Sequence, residues 1–179
     1  MYAACGPGRK SALRRNAAAC REVPVRFLCD EMLQKLGRWL RAAGYDTAIA
    51  TNGADDLLLL AQAAAEDRIL LTRDRRLLAA APADLRACGV RAERTGAAAV
   101  ELRDRLGVDW LMAPFTRCLV DNMALRPAAE HERTAMPLRA RAVGGAVNIC
   151  PACGRLYWPG SHVRRMQAKL ARWAAGEPA

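Results

Sequence analysis

The chain has 179 residues, of which 53% are hydrophobic and 26% charged, and its formal net charge is +10. This length suffices to bury the core of one ordinary domain with a small appendage. No run approaches the roughly 18 to 20 apolar residues that cross a bilayer, and no apolar segment follows the basic N-terminal residues, so neither a membrane span nor a secretory signal is predicted.

The positive charge is concentrated at the two ends of the chain. Residues 1–22 and residues 155–179 each carry a net charge of +4, which leaves +2 for the middle. Basic ends suit a polyanionic partner, because Lys and Arg release the counterions of phosphates. The alternative is that Arg is abundant throughout the chain. Residues 1–22 show no sustained hydrophobic period and contain a Gly-Pro-Gly break, so they are predicted to form a flexible basic extension.

The seven cysteines are an odd number and do not indicate a disulfide framework. They favour a reducing compartment, and we expect a cytoplasmic protein. Cys29 and Cys88 lie in apolar surroundings, which is typical of small core residues.

The first regular stretch predicts a buried strand that feeds a helix. Four of the five residues in 25–29 are apolar, Asp30 follows, and Leu33, Leu36, Trp39 and Leu40 then recur at helical spacing.

The next segments alternate between the patterns of strands and helices. The predicted order is a weak strand over 47–50, a helix from Asp55 or Asp56 to about Asp67, a strand over 68–72, a short helix over 75–81, another between Pro82 and Gly89, a fourth strand over 90–93 and a helix over 97–106. Units of this length predict a parallel sheet that is covered by helices on both faces, with right-handed crossovers.

Beyond Gly107 the composition changes to prolines, an irregular basic loop and a Cys-Pro-Ala-Cys-Gly motif. We therefore predict an α/β domain over residues 23–110 and a small zinc-ribbon-like module over residues 111–179. A helix over 161–173 closes that module, with Val163, Met166 and Leu170 as its packing face.

Acidic residues stand where predicted strands or turns meet helices: Asp30, Asp55 or Asp56, and Asp74. In a doubly wound sheet these junctions share one edge, so the carboxylates converge. Carboxylates gathered in one crevice call for a hard divalent cation such as Mg²⁺ or Mn²⁺, which activates water for attack on a phosphodiester. Taken singly, each Asp is explained as a helix N-cap, which is the favoured role for Asp30 when it is considered alone.

Basic residues accompany these carboxylates. Lys35, Arg38 and Arg41 follow at intervals of three on the first helix, and Arg73 precedes Asp74. Beside an acidic metal site such residues are suited to an RNA phosphate backbone. The alternative for the helix is an ordinary solvated face.

Cys150 and Cys153 have the spacing of a zinc knuckle. A ribbon needs a second pair, and its natural place is at Cys118, where Asp121 stands in the position of the second cysteine. Asp121 is an acceptable zinc ligand, and His131 and His162 are the other possible fourth ligands. A site that has lost its metal and persists by packing is the alternative.

Two aromatic residues follow the knuckle, Tyr157 and Trp158. Such rings are able to stack on the bases of single-stranded RNA. A ribbon also needs a small core of its own, and we favour that role for Trp158.

Several motifs carry a resemblance to a known family. In order they are FLCDEML at 27–33, LGRWLR at 36–41, GYD at 44–46, Asp56 with Leu59, Leu60 and Ala63, ILLTRD at 69–74, RCLV at 117–120 with Asn122, CPACG at 150–154 and YWPGSH at 157–162. Together they resemble the PIN-like ribonuclease domain with a C-terminal zinc ribbon, the Mut-seven C-terminal RNase domain.

The resemblance implies a PIN-like three-layer α/β fold that binds Mg²⁺ or Mn²⁺ and cleaves RNA. By that match Asp30, Asp56 and Asp74 are the metal ligands and catalytic residues, and the spacing to Arg68 favours Asp56 over Asp55. Family members have a full cysteine pair before the knuckle, so Asp121 departs from the pattern. Two other functions are compatible with the sequence: a non-catalytic RNA-binding or ribosome-associated module, and a zinc-ribbon adaptor that binds protein.

Overall fold

The computed structural model describes residues 25–50, 53–142 and 144–178. The basic extension predicted for residues 1–22 lies outside these residues.

A four-stranded parallel sheet forms the centre of the fold, with the strand order β2-β1-β3-β4. Its strands are β1 (Arg26–Cys29), β2 (Asp46–Ile49), β3 (Ile69–Thr72) and β4 (Ala87–Gly89). The two central strands, β1 and β3, are almost completely buried, as their nearly continuous apolar sequences require in a sheet covered on both sides.

Helices cover both faces of the sheet. Side chains alternate between the two faces along a strand, and Phe27 packs against one layer while Leu28 packs against the other. The helices are α1 (Gln34–Ala42) and α4 (Thr95–Leu106) on the Phe27 side, and α2 (Asp56–Ala65) and α3 (Arg75–Ala80) on the Leu28 side. The predicted three-layer α/β fold is therefore confirmed.

Two of the predicted elements were wrong. The segment between Pro82 and Gly89 is a turn followed by β4 (Ala87–Gly89), not a short helix, and residues 90–93 are not a strand. The backbone N–H groups of Arg91 and Ala92 donate to the carboxylate of Glu101 on α4, at 3.0 to 3.2 Å. A side chain thus takes the donors that a fourth strand would have used.

The residues after α4 build a smaller, antiparallel layer. Three short strands pair in the order β5-β6-β7, and one long helix ends the described chain. The elements are β5 (Arg126–Pro127), α5 (Glu130–Arg133), α6 (Leu138–Arg141), β6 (Asn148–Ile149), β7 (Leu156–Tyr157) and α7 (Ser161–Ala174). Trp158 packs, partly buried, against a small core that includes Met136 and Ile149, in agreement with the packing role favoured for it.

Helix α7 belongs to the main core rather than to the small layer. Trp173 lies between two other indoles in edge-to-face contacts, with ring centroids 4.7 Å from Trp39 and 5.2 Å from Trp110. The predicted packing face of Val163, Met166 and Leu170 joins the same hydrophobic cluster. The C-terminal helix therefore covers α1 and α4 of the α/β part.

Within the described residues, no helix combines the length and the apolar character that a membrane span requires.

Candidate active site and candidate metal centre

A cavity of about 90 Å³ opens at the carboxyl ends of β1 and β3. The carboxylates predicted to converge there do so, because strand order and parallel direction bring their junctions to one edge. The cavity is called the acidic pocket below, and it is lined by Asp30, Glu31, Met32, Ala50, Ala54, Asp56, Leu59, Asp74 and Leu77.

Asp30 is held by the neighbouring strand. Its side chain makes no N-cap hydrogen bond to the short 3₁₀ helix that follows, so the capping alternative is wrong for this residue. Instead Oδ2 accepts a 2.7 Å hydrogen bond from the hydroxyl of Thr72, and the residue is only 6% exposed. A buried carboxylate with a fixed donor on one oxygen keeps the other oxygen for a ligand.

Asp74 combines the two roles that its sequence position allows. Its Oδ1 accepts from the backbone N–H groups of Arg76 at 2.6 Å and Leu77 at 3.3 Å, which caps α3. Its own N–H donates to the Thr72 hydroxyl at 2.9 Å, so one hydroxyl links the two carboxylate residues. The cap orients Asp74, and its side chain still forms part of the pocket wall.

The two adjacent aspartates at the start of α2 have different positions. Asp55 caps the helix through Oδ1, which accepts from Leu57 N at 2.7 Å. Asp56 is exposed and lines the acidic pocket. The structure therefore places Asp56, the residue favoured by its spacing to Arg68, in the pocket wall, while Asp55 is the N-cap of α2.

Sequence reasoning did not single out two residues of this site, Glu31 and Thr72. Glu31 lines the pocket, and its Oε2 accepts from Gly53 N at 2.8 Å. Thr72 is fully buried as the last residue of β3. Their signals were present: Glu31 directly follows Asp30, and Thr72 stands two residues before Asp74.

The charged side chains that line the pocket are all carboxylates, and oxygen donors of this kind fit a hard divalent cation that keeps part of its water shell. Among the described residues, one group of three or more His, Cys, Asp or Glu side chains has its ligand atoms within 4.8 Å of one another, and this group lies outside the pocket. The pocket carboxylates are spread more widely around the cavity. Such an arrangement fits a hydrated Mg²⁺ or Mn²⁺ rather than a fully protein-ligated ion.

The predicted basic stripe on α1 divides into exposed and buried residues. Lys35 and Arg38 are exposed, whereas Arg41 is only 7% exposed. Positions three apart drift by about 60° around a helix, so two such steps turn Arg41 about 120° away from Lys35. Arg73, the fourth predicted basic residue, donates through Nη2 to the carbonyls of Ala92 at 2.6 Å and Glu93 at 2.8 Å.

Arg41 joins the α/β part to the loop that carries Cys118. Its Nε donates to the carbonyl of Thr47 on β2 at 2.8 Å, and its Nη1 donates to the carbonyls of Leu119 at 3.1 Å and Val120 at 2.5 Å. The Nε and Nη1 donors of Arg41 are thus used by backbone carbonyls inside the protein and do not face a phosphate in solvent. The role seen for Arg41 is therefore structural.

A second set of contacts fastens the same loop to β2. Asn122 has a left-handed backbone (φ 64°), and its side chain donates to Asp46 Oδ1 at 2.7 Å while accepting from Thr47 N at 3.0 Å. Asp46 also pairs with Arg68 at 2.7 Å. The loop after Cys118 is thus fixed on the edge strand of the sheet.

Four predicted zinc ligands meet on this loop and the knuckle. Cys118, Asp121, Cys150 and Cys153 form the cysteine cluster, in which one ligand atom of each lies within 4.8 Å of all the others. Sγ of Cys118 lies 3.8 Å from Sγ of Cys153, and Asp121 Oδ2 lies 3.3 Å from Sγ of Cys150. His131 and His162 are not members of the group.

Local turns and hydrogen bonds shape the cluster. Gly154 takes a left-handed backbone (φ 68°) and donates to the carbonyl of Cys150 at 3.0 Å, which closes the knuckle. The hydroxyl of Tyr157 donates to Sγ of Cys118 at 3.3 Å. Three sulfur donors and one carboxylate in a compact group fit a tetrahedral Zn²⁺.

Hydrogen bonds within the cluster shift the pKa values of two of its thiols in opposite directions. Burial raises the pKa of Cys118, but hydrogen bonds from the Tyr157 hydroxyl and from backbone N–H groups, including that of Asp121, outweigh burial and lower it. Hydrogen bonding to the Asp121 carboxylate raises the pKa of Cys153 to about 11. Cys118 is therefore better prepared than Cys153 to bind a cation as thiolate.

Fold and site together define a three-layer α/β protein with an acidic pocket at the carboxyl edge of its sheet. Its cysteine cluster lies partly on a loop that is fastened to the first residues of the edge strand β2. The family model described as "Mut7-C RNAse domain" matches residues 25–170. The chain belongs to this family, and the family suggests a ribonuclease-type function. No curated protein and no solved structure matches the chain.

Proposed function

We propose that the chain is a metal-dependent ribonuclease that hydrolyses RNA phosphodiester bonds at the acidic pocket. The observation that carries the proposal is the meeting of Asp30, Asp56 and Asp74 around one cavity, in a chain of a ribonuclease-domain family. Together with Glu31 they make four acidic side chains around a cavity of about 90 Å³, at the edge of the sheet where α/β proteins bind ligands.

The acidic residues divide into three metal ligands and one residue, Glu31, that holds the backbone beside the pocket. Asp30, Asp56 and Asp74 hold Mg²⁺ or Mn²⁺, which when bound supplies activation of water and neutralises charge on the phosphodiester. The Thr72 hydroxyl keeps Asp30 in one orientation, and the α3 cap does the same for Asp74. Glu31 fixes the Gly53 backbone at the pocket rim through its 2.8 Å hydrogen bond.

The cationic residues near the pocket serve two purposes in this proposal. Lys35 and Arg38 are exposed on α1 and contact phosphates of the RNA. Arg41 and Arg73 donate hydrogen bonds to backbone carbonyls and have a structural role.

The cysteine cluster binds structural zinc through Cys118, Asp121, Cys150 and Cys153. Its thiols need a reducing compartment, and we place the protein in the cytoplasm. Chelation of zinc should loosen the Cys118 loop from β2 without removing a catalytic group, because none of the four cluster residues lines the acidic pocket.

The test compares wild type with Asp30→Asn and Asp74→Asn on labelled structured and single-stranded RNA in Mn²⁺. Because loss of groups that merely orient metal ligands costs 10- to 100-fold, loss of a ligand itself should lower the cleavage rate by at least about 100-fold. EDTA should abolish cleavage by the wild type.

Asp55→Asn is the matched control, because Asp55 caps α2 outside the pocket lining and Asn caps a helix equally well. It should cleave at the wild-type rate. Equal cleavage by wild type and both pocket variants would show a contaminating nuclease and refute the proposal.

A non-catalytic RNA-binding module is the second possible function. The observation in its favour is the wide spacing of the pocket carboxylates, which form no group within 4.8 Å among the described residues. It predicts salt-dependent RNA binding that survives Asp30→Asn and Asp74→Asn together, with no cleavage by any variant.

A further inference from the structure

We propose that helix α7 forms, together with α1, a second RNA contact surface that binds the phosphate backbone leading to the acidic pocket. We call it the α1–α7 basic surface and define it by Lys35, Arg38, Arg165 and Lys169. The inference deepens the proposed ribonuclease function and rests on it for the identity of the polyanion.

The sequence of α7 separates an apolar face from a basic flank. Val163, Met166, Leu170 and Trp173 recur at intervals of three and four and pack into the main core. Arg165, Lys169 and Arg172 recur at the same intervals and are exposed, and the helix from Ser161 to Ala174 contains no acidic residue.

The basic flank of α7 faces the exposed side of α1. Lys169 Nζ lies 5.9 Å from the ring centroid of Trp39, and the same ring contacts Trp173. Lys35 precedes Trp39 on α1 by four residues, a spacing that places both on one helix face, and Arg38 lies about 60° around the helix from Lys35. Cations from two helices that are far apart in sequence are thereby brought to one surface.

This surface keeps its charge uncompensated. Among the described residues, ion pairs are formed by Arg68, Arg86, Arg103, Arg105, Arg117, Arg126, Arg133 and Arg172. None of the four residues of the α1–α7 basic surface takes part in one, so these four positive charges face solvent with no carboxylate of the described residues within 4.0 Å. We leave Arg172 out of the definition because Glu177 lies 3.4 Å from its Nε.

The position of the surface favours RNA as its partner. α1 follows Asp30 after a single short 3₁₀ helix, so Lys35 stands at the end of α1 nearest to the acidic pocket. A strand whose scissile phosphate lies in the pocket is able to continue along α1 towards α7. Phosphates held by Lys and Arg release counterions, which supplies affinity without sequence preference.

An anionic membrane is the less suitable partner. A helix that lies on a bilayer inserts its apolar face, but the apolar face of α7 is already buried in the main core. The exposed large apolar residues of the described chain also lie outside both α1 and α7.

The test measures binding of a labelled single-stranded RNA to the Asp30→Asn protein over a range of salt concentrations. Arg165→Gln/Lys169→Gln should raise Kd roughly tenfold and make the slope of log K against log salt shallower by about 1.4, since each lost phosphate contact on a single strand contributes about 0.7.

Two controls separate charge from folding and from helix position. Arg164→Gln removes a charge that lies about 100° around the helix from Arg165, and Kd should stay unchanged. Arg165→Lys/Lys169→Arg keeps both charges and should also retain binding. Thermal unfolding of each variant checks that α7 remains docked.

An unchanged Kd for the double glutamine variant with α7 docked would overturn the proposal, as would an effect no larger than that of Arg164→Gln. If the double glutamine variant instead loses binding to phosphatidylserine vesicles while RNA binding persists, the surface serves a membrane and the proposal is wrong. Cleavage assays separate the two hypotheses. RNA binding that depends on the surface, without cleavage by wild type, refutes only the catalytic function, whereas normal cleavage with unaltered binding refutes only the surface.

Discussion

Replacing Thr72 by Val removes the hydroxyl that links two residues of the pocket wall, Asp30 and Asp74, and changes the volume of the side chain little. The hydroxyl is fully buried, donates to Asp30 Oδ2 at 2.7 Å and accepts from Asp74 N at 2.9 Å. Loss of a hydrogen bond to a charged group costs about 1.5 to 3 kcal/mol, and a partly buried N–H without its acceptor adds about 1 kcal/mol. We expect the free energy of unfolding to fall by about 3 kcal/mol.

Thr72→Ser is the matched control, because it keeps the hydroxyl and removes a methyl group at a cost of about 1 kcal/mol. In a metal-free thermal melt the Val variant should lose about 6 to 12 °C and the Ser variant about 2 to 4 °C, at 2 to 4 °C per kcal/mol for a chain of this size. The Val variant should also cleave RNA about 10- to 100-fold more slowly, since Asp30 loses the group that orients it.

Equal losses of stability in the Val and Ser variants would show that packing, and not the hydroxyl, matters at position 72. A Val variant with wild-type cleavage would refute the idea that Thr72 orients Asp30 for catalysis.

Three further predictions concern residues away from the pocket. Arg41→Met removes the guanidinium donor from three backbone carbonyls and should destabilise the protein by about 3 to 5 kcal/mol in a denaturant titration, and a loss below about 1 kcal/mol would contradict the linking role. Asp121→Cys completes a four-thiolate site and should slow the release of zinc to a chelator, whereas unchanged release would show that Asp121 is not a ligand. Burial raises the pKa of Asp46, but hydrogen bonds from Arg68 and Asn122 lower it by more, so its stabilising contribution is present above the unfolded-state value near 3.9 and is lost as pH falls through the lower folded-state value. Asp46→Asn should therefore flatten the decline of Tm below about pH 4, and an unchanged decline would assign the acid sensitivity to other carboxylates.

The sheet and the convergence of the carboxylates were predictable because they follow from local patterns and from connectivity. The two buried strands read as short apolar runs, and parallel strands place their carboxyl ends on one edge whatever the details of packing. Asp30 and Asp74 could therefore be assigned to one pocket before any contact was known.

The remainder depended on side chains that only the folded chain brings together. The register that pairs Cys29 with Leu71 places Asp30 beside Thr72, and no local pattern contains that register. In the same way, the carboxylate of Glu101 on α4 accepts hydrogen bonds from the backbone N–H groups of residues 91 and 92. These groups are therefore not available for the strand that was predicted over 90–93.

Helix periodicity was also too coarse to place Arg41. Its spacing from Lys35 and Arg38 indicated a common face, but the drift of about 60° per three residues turns it into the protein. The burial of a guanidinium there depends on the carbonyls that the Cys118 loop supplies from almost 80 positions further along the chain.

The indole of Trp173, held between Trp39 and Trp110, gives the order of synthesis a consequence for folding. Domains generally fold as units, and here the layer over α1 and α4 is completed by a helix that is made after all the strands. A chain that lacks α7 would leave Trp39 and Trp110 without the indole that packs between them, so this layer of the core is completed only after α7 has left the ribosome.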